Sequence, residues 1–167
     1  MPELLPQERL QPSLLDRLTD LEPARRDESR HERVVTAAQL RESITRDIAA
    51  LLNCTRAFDD DALDALPHVR NSVLNYGIPD LAGTALSTID VGTLQAQIRT
   101  ALVDFEPRLI GPTVQVTAAI DDTRMDSRSL TFRIEAQMWA QPIPLSLYLS
   151  TDVDLETGAF RVSQRTG

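Results

Sequence analysis

Lysine is absent from the chain, in which all 17 basic residues are arginine. This absence excludes Schiff-base chemistry and the lysine that phosphate-binding loops and kinases require. Cys54 is the only cysteine, so neither a disulfide framework nor a cysteine metal cluster can form within the chain. The two histidines, His31 and His68, are too far apart for a zinc pair of helical spacing. We therefore expect no metal ion and no cofactor.

Long apolar runs and an excess of positive charge are also missing. The longest apolar run covers residues 48–52, far short of the roughly 20 residues that a membrane-spanning helix needs. The start of the chain lacks the charged and apolar segments of a signal peptide. A net charge of -8 argues against nucleic acid or an anionic membrane as the main partner. We expect a cytoplasmic protein that does not insert into a membrane.

Two stretches carry apolar residues at helical spacing. The first begins at Thr36, which forms a capping box with Gln39 three residues later. Its apolar face is formed by Leu40, Ile44, Ile48, Leu51 and Leu52. The second helix runs from about Asp90 to Phe105, and its apolar face contains Leu94, Ile98 and Leu102.

Alternating apolar and polar residues predict strands in the second half of the chain. The predicted strands are 113–121, 129–139, 144–153 and a short final strand at 160–162. The links between the first three are short enough for antiparallel hairpins. The sequence therefore predicts an α+β fold, with two main helices packed on one face of a small antiparallel sheet.

The N-terminal part of the chain predicts a helical appendage. Ser13 is a good N-cap, and leucines recur at positions 14, 15, 18 and 21 as a short apolar stripe. A mixed-charge segment at 23–33 follows and is typical of a solvated linker. We therefore divide the chain into an extension of residues 1–35 and a main domain of residues 36–167.

The segment Glu106-Pro107-Arg108 joins the second helix to the first strand and places opposite charges at the joint. Pro107 has no backbone N–H and disfavours the α region at the preceding residue, so the helix must end here. Glu106 and Arg108 then project from the same side of an extended segment. The charges either pair with each other or with helix caps, or they form a docking point. Under the docking interpretation, reversing Glu106 to arginine weakens assembly with little loss of fold stability.

Two further places are candidates for partner contacts. In residues 71–81, Gly77 and Pro79 bend the chain, and Asn75, Tyr76 and Asp80 either touch a partner or only hold this loop. The second place is the predicted outer face of the sheet, which carries two aromatic side chains. Pairing of the strands around residues 141–142 puts Trp139 and Tyr148 on this face, where they either bind a partner or are covered by the leucine stripe.

Three segments resemble the phage contractile-tail baseplate wedge family. Residues 106–108 are similar to its Glu-Pro-Arg signature, and residues 14–18 are similar to the leucine-rich opening of its members. Residues 72–81 resemble the Ser-Val-Leu-Asn-Tyr-Gly-Leu-Pro-Asp-Leu segment of the TssE branch, which serves type VI secretion baseplates. The one departure there is Ile78. The resemblance runs from about residue 14 to residue 162.

The resemblance implies a structural subunit assembled at the cytoplasmic side of the inner membrane. It implies that the Glu-Pro-Arg motif contacts other baseplate wedge subunits. It also implies that the chain supplies a platform where the contractile sheath begins to polymerise. An exposed sheet edge in 113–121 or 144–153 would accept a strand from a sheath subunit. Taken together, we expect partner contacts at Glu106, Pro107, Arg108, Asn75, Tyr76, Asp80, Trp139 and Tyr148.

Two other classes of protein are compatible with a chain of this size, a glycoside hydrolase and a small adaptor. The wedge family has been called lysozyme-like, but a glycoside hydrolase needs one carboxyl group that stays protonated as a general acid. Glu106 stands beside a cation, which favours its ionised form instead. We therefore expect no enzyme and no catalytic residue. The other class is a small adaptor that binds one partner through Trp139, Tyr148 and the leucine stripe.

Overall fold

The computed structural model describes residues 13–19, 36–58, 60–85, 88–119, 129–140 and 143–165. The described helices are α1 (Leu14–Leu18), α2 (Ala37–Leu52), α3 (Asp60–Asp64), α4 (Pro67–Arg70) and α5 (Val91–Phe105). Two short 3-10 turns cover Val73–Asn75 and Gly111–Thr113. The strands are β1 (Gln115–Ala119), β2 (Ser129–Met138), β3 (Leu145–Asp154) and β4 (Phe160–Gln164).

The four strands form one antiparallel sheet in the order β1-β2-β3-β4, so each strand lies beside its neighbour in the chain. Alternate side chains of β2 and β3 point to the same face, which is the buried one. The largest buried side chains of this face are Phe132, Ile134, Met138, Leu147 and Leu149. The register pairs Met138 with Leu145, so odd positions of one strand face even positions of the other, as predicted.

Both long helices cover the buried face of the sheet. The α2 helix begins with the predicted capping box, in which the Thr36 side chain accepts from Gln39 N–H and the Gln39 side chain accepts from Thr36 N–H. Its buried residues are Leu40, Ile44, Ile48, Leu51 and Leu52, all five of them predicted. The α2 helix packs near β4 and α5 packs near β1, and both share one apolar core with the sheet. The predicted α+β fold is confirmed.

Several boundaries of the predicted strands differ from the structure by one or two residues. β1 begins at Gln115 rather than 113, because Pro112 lies in a 3-10 turn. The predicted end of this strand at 121 lies outside the described residues. Of the two alternatives for the exposed edge, 113–121 and 144–153, the second is excluded, because β2 pairs along one side of β3 and β4 pairs with its second half. Among the described strands, the two edges of the sheet are therefore β1 and β4.

Gly77 fixes the path of the loop that follows α4. Its φ angle is +119°, a backbone conformation that L side chains rarely adopt. A Cβ atom at this position would lie 2.1 Å from the backbone oxygen of Cys54. The close approach lets Ile78 pair with Thr55 as an isolated parallel bridge. The loop therefore lies against the end of α2, which brings Tyr76 towards the joint at residues 106–108.

Candidate functional site

The joint at residues 106–108 is fixed on both sides. The N–H of Glu106 donates to the carbonyl oxygen of Leu102 at 3.0 Å, and α5 ends at Phe105, before Pro107 as predicted. After the proline, the carbonyl oxygen of Arg108 accepts from Trp139 N–H at 2.7 Å. One residue further, Leu109 forms an isolated antiparallel bridge with Met138. Backbone hydrogen bonds thus connect the joint to the last turn of α5 on one side and to the end of β2 on the other.

The guanidinium group of Arg108 is the centre of a charge cluster. Its Nε–H donates to Glu106 Oε1 at 2.7 Å, and its Nη2 donates to Glu106 Oε2, so the pair is bidentate. The same Nη2 donates to Asp47 Oδ2 of α2 at 2.6 Å, and Nη1 donates to Ser43 Oγ at 3.3 Å. The backbone N–H of Arg108 also donates to Glu106 Oε1, at 3.1 Å. The cluster therefore joins the joint to α2.

Burial and charge act in opposite directions on Arg108. Desolvation by itself lowers the pKa of this guanidinium, because burial disfavours the charged form. The hydrogen bonds and negative charges of Glu106 and Asp47 outweigh burial and raise the pKa of Arg108 above its ordinary value. Arg108 is therefore a permanent cation that holds two carboxylates in place.

The charges of the motif do pair with each other, which was one of the two interpretations of the sequence. The side chain of Glu106 is only 4% exposed, whereas that of Arg108 is 22% exposed and Pro107 is exposed. The burial of Glu106 argues against the expectation that its reversal would spare fold stability, and that expectation stays untested. A second cation at this buried position would face Arg108, whose remaining counter-charge is Asp47. Contact of the motif with a partner stays a prediction, and it would involve Pro107 and Arg108 rather than the buried carboxylate.

A surface groove of about 400 Å³ lies beside the charge cluster. Its lining residues come from α1, α2, the 73–76 loop and the joint, and they are Ser13, Leu14, Asp47, Ile48, Leu51, Tyr76, Phe105, Glu106, Pro107 and Arg108. The ring of Tyr76 packs edge-on against Phe105, with ring centroids 5.3 Å apart. Burial raises the pKa of Tyr76, and negative charges that include Asp47 add to this effect. The groove thus brings together two segments that the sequence had singled out separately.

Other residues of the 71–81 segment have local roles. Asn75 is 5% exposed, and its Nδ2 donates to the carbonyl oxygen of Arg70 at 3.2 Å. Asp80 Oδ1 accepts from Ala82 N–H at 2.9 Å and so forms a turn. Partner contact through Asn75 and Asp80 stays a prediction. Val73 and Leu74 of this segment are large apolar residues that are 81% and 65% exposed, and the sequence did not single them out.

A comparison with protein families identifies the group to which this arrangement belongs. The sequence model of a family described as Baseplate wedge protein gp25 matches residues 38–143, more than half of the chain. The chain belongs to the gp25 baseplate wedge family. This is a structural family of contractile-tail-like baseplates, and membership implies interaction with other baseplate components. No curated protein and no solved structure matches the chain.

The match to the gp25 family covers the whole charge cluster and leaves α1 outside. Ser43 and Asp47 of α2 and the joint at 106–108 all lie between residues 38 and 143. Sequence reasoning missed Ser43 and Asp47 as members of the site. They are four residues apart and so share one side of α2, but nothing local connects them to Arg108, 61 residues later. Only the tertiary fold brings them together.

The two aromatic residues of the outer sheet face do not form one patch. Trp139 is 54% exposed and Tyr148 is 37% exposed. Tyr148 lies opposite Glu135, four residues before Trp139, which corresponds to about 13 Å along a strand. The described part of the leucine stripe lies elsewhere, because Ser13 and Leu14 line the groove on the helical side. Partner binding by the two aromatics stays a prediction, and each would act separately.

The described leucines of α1 are large apolar residues that stay exposed beside the groove. Leu14, Leu15 and Leu18 are 70%, 63% and 75% exposed, and Leu21 lies outside the described residues. Within the described ranges, no cluster of three or more His, Cys, Asp or Glu residues is suited to hold a metal ion. None of the helices described has the length and apolar character needed to cross a membrane. The groove thus combines the charged side chains of the cluster with apolar side chains.

Proposed function

We propose that the chain is a structural subunit of a type VI secretion baseplate, of the TssE type. In this role it joins the wedge complex at the cytoplasmic side of the inner membrane and provides a platform for sheath polymerisation. The supporting observation is that the Glu-Pro-Arg joint and Tyr76, both from family-like segments, line one groove within the gp25 region. The resemblance of residues 72–81 favours the TssE branch over phage members.

The groove suits protein binding because its polar rim is ordered before a partner arrives. The guanidinium of Arg108 is held by Glu106, Asp47 and Ser43 and does not have to be fixed on binding. Binding sites that are ordered in advance lose less conformational entropy. The partner would place apolar side chains against Tyr76 and Phe105. No catalytic role is proposed, since all the polar contacts of Glu106 serve to hold Arg108.

The wedge contact is tested with two exposed prolines that provide a matched pair. We expect Pro107→Glu to weaken capture of wedge subunits at least about tenfold, or ~1.4 kcal/mol, because it adds charge at the rim of the groove. Pro112→Glu makes the same change in the 3-10 turn before β1, outside the groove, and should bind as the wild type does. The measurement is a pulldown with captured subunits identified by mass spectrometry, with urea unfolding of both variants alongside. Equal capture by both would remove the groove from the interface.

The platform for the sheath requires an open sheet edge, and β4 offers the better one. The outward backbone groups of β1 are partly covered, since the side chains of Gln95 and Arg99 donate to the carbonyl oxygens of Val116 and Val114 at 3.0 and 3.1 Å. In β4 the outward groups belong to Phe160, Val162 and Gln164.

Asn53 occupies one end of this β4 edge. Phe160 N–H donates to Asn53 Oδ1 and Asn53 Nδ2 donates to the carbonyl oxygen of Phe160, both at 2.9 Å. The outward groups of Val162 and Gln164 bond to nothing in the part of the chain that the structure describes. A strand from a sheath subunit would therefore pair with residues 162–164.

A proline at the outward N–H of Gln164 tests this edge. Gln164→Pro removes the donor that an added strand needs but leaves the ladder to β3 intact. Gln164→Ala is the control, because it loses the same side-chain contact with Thr45 and keeps the N–H. We expect sheath growth to fail with proline only, while wedge binding persists in both. Loss of wedge and sheath binding together would count against separate surfaces.

The exposure of Trp139 and of the α1 leucines favours one alternative, a small adaptor for a single partner. Removal of residues 1–33 distinguishes the two functions. An adaptor that uses the leucines loses its partner on truncation, whereas docking through the joint at 106–108 survives. Capture of wedge and sheath subunits by the truncated chain would therefore reject the adaptor.

A further inference from the structure

The position of α1 depends on charge rather than on packing. It has five residues, far fewer than the roughly 12–15 that an isolated helix needs, and none of its three leucines is buried. Its anchor is Asp16, whose Oδ1 accepts from Nη1 of Arg46 on α2 at 2.6 Å. Ser13 Oγ donates to the other oxygen of the same carboxylate at 2.7 Å, which fixes its orientation.

The cation that binds Asp16 also reaches the charge cluster. Nη2 of Arg46 lies 2.9 Å from Asp47 Oδ1, and Asp47 Oδ2 accepts from Arg108. Carboxylates and guanidinium groups therefore alternate from α1 to the joint, in the order Asp16, Arg46, Asp47, Arg108 and Glu106. The net charge of this series is negative by one. Arg46 is the single member that touches both α1 and the main domain's cluster.

We propose that Arg46 is a positioning residue that holds α1 beside the groove, so that its leucines extend the interaction surface at Pro107 and Arg108. The claim that the α1 leucines extend the interaction surface rests on the proposed function. The claim that Arg46 holds α1 in place concerns only the chain itself and needs no partner. Because the side chains of Arg46 and Asp16 are 49% and 25% exposed, the pair is weak and screened by salt. Loss of the pair should therefore lower the ratio of docked to undocked α1 about 1.4- to 5-fold.

A distance measurement between two spin labels tests the position of α1. Nitroxides are attached at Leu15→Cys on α1 and Thr100→Cys on α5, both exposed, in a chain carrying Cys54→Ser. We expect Arg46→Gln and Asp16→Asn each to reduce the docked fraction, and the double variant to reduce it no further. Arg46→Lys keeps the charge and should retain docking. Arg41→Gln is the matched control on the same helix, since Arg41 contacts Ser146 instead.

Two outcomes would overturn the inference. An unchanged distance distribution in Arg46→Gln would mean that charge does not hold α1, whatever the wild-type chain binds. A shifted distribution without weaker capture of wedge subunits would separate α1 from the interaction surface. Failure of the wild-type chain to bind wedge subunits would instead contradict the proposed function and leave the distance result standing. Urea unfolding should be the same for all variants, because none of them alters the core.

Discussion

Reversal of Glu106 to arginine is the perturbation that bears most directly on the charge cluster. The variant places a second cation beside Arg108 at a position that is 4% exposed in the wild type. We expect a loss of about 3–5 kcal/mol in the free energy of unfolding, the range for breaking a buried ion pair by removing one partner. A typical domain has only about 5–15 kcal/mol of stability in total. The variant would therefore lose a large share of the stability of the fold.

The contacts in the structure refine this magnitude. Glu106 accepts three hydrogen bonds from Arg108, and all three are lost on reversal. Asp47 remains as a counter-ion for Arg108, which keeps the loss from exceeding the range. Glu106→Gln keeps the shape and the ability to accept, so it should cost less, about 1–3 kcal/mol. The order of stability is therefore wild type, Glu106→Gln and then Glu106→Arg.

Urea unfolding followed by circular dichroism measures these differences. Glu42→Arg is the control, because it makes the same charge change at an exposed position of α2 and should stay within about 0.5 kcal/mol of the wild type. A thermal scan should show the Glu106→Arg midpoint roughly 6–20 °C lower, given 2–4 °C per kcal/mol at this chain length. If Glu106→Arg unfolds like Glu42→Arg, the cluster does not stabilise the fold and the reasoning is refuted.

Three further predictions concern other parts of the fold. Gly77→Ala should lower the free energy of unfolding by at least about 3 kcal/mol, because the added Cβ meets a backbone oxygen. Gly83→Ala, also at positive φ but in open space, should lower it by about 1–2 kcal/mol. Equal urea midpoints for the two variants would contradict this. The hydrogen bond from Arg46 lowers the pKa of Asp16. Docking of α1 should therefore be constant above about pH 5 and be lost as the pH falls through that lowered pKa. Spin-label distances that do not change on acidification would count against this prediction. Asn53→Ala should lower the free energy of unfolding by about 1–3 kcal/mol, because the backbone of Phe160 loses both hydrogen bonds to the Asn53 side chain. A urea midpoint like that of the wild type would show that water replaces these two bonds.

Local patterns in the sequence were enough to predict α1, the two long helices and the faces of the strands. The capping box at Thr36 and the helix stop at Pro107 depend on residues within three positions of each other, so they can be read without the fold. The confirmed α+β class follows from the same periodicities. Sheet edges could not be read this way, because whether β3 is an edge depends on where β4 pairs. For this reason the sequence left 113–121 and 144–153 open as the exposed edge, and of the two only β1 is an edge in the structure.

In the candidate site, too, contacts between distant residues could not be predicted from the local sequence. Glu106 and Arg108 were predicted to lie together, since residues two apart on an extended segment share a side. Burial of the glutamate was not predicted, because it is produced by α2 and α5 closing around the joint. Asp47 was missed because its contact with Arg108 spans 61 positions in the sequence. Local sequence thus predicts that the two charges project from the same side of the joint, and tertiary packing decides which of them is buried.

Exchanging the two charges of the motif distinguishes an isolated ion pair from a cluster that includes α2. If residues 106 and 108 served only each other, Glu106→Arg combined with Arg108→Glu would preserve the pair and the stability. The structure predicts otherwise, because Asp47 lies 2.6 Å from the guanidinium of residue 108 and would then face a second carboxylate. We expect the exchanged chain to lose about 3–5 kcal/mol in urea unfolding, and Asp47→Lys to restore part of the loss by providing the missing cation. An exchanged chain as stable as the wild type would mean that α2 has no part in the motif.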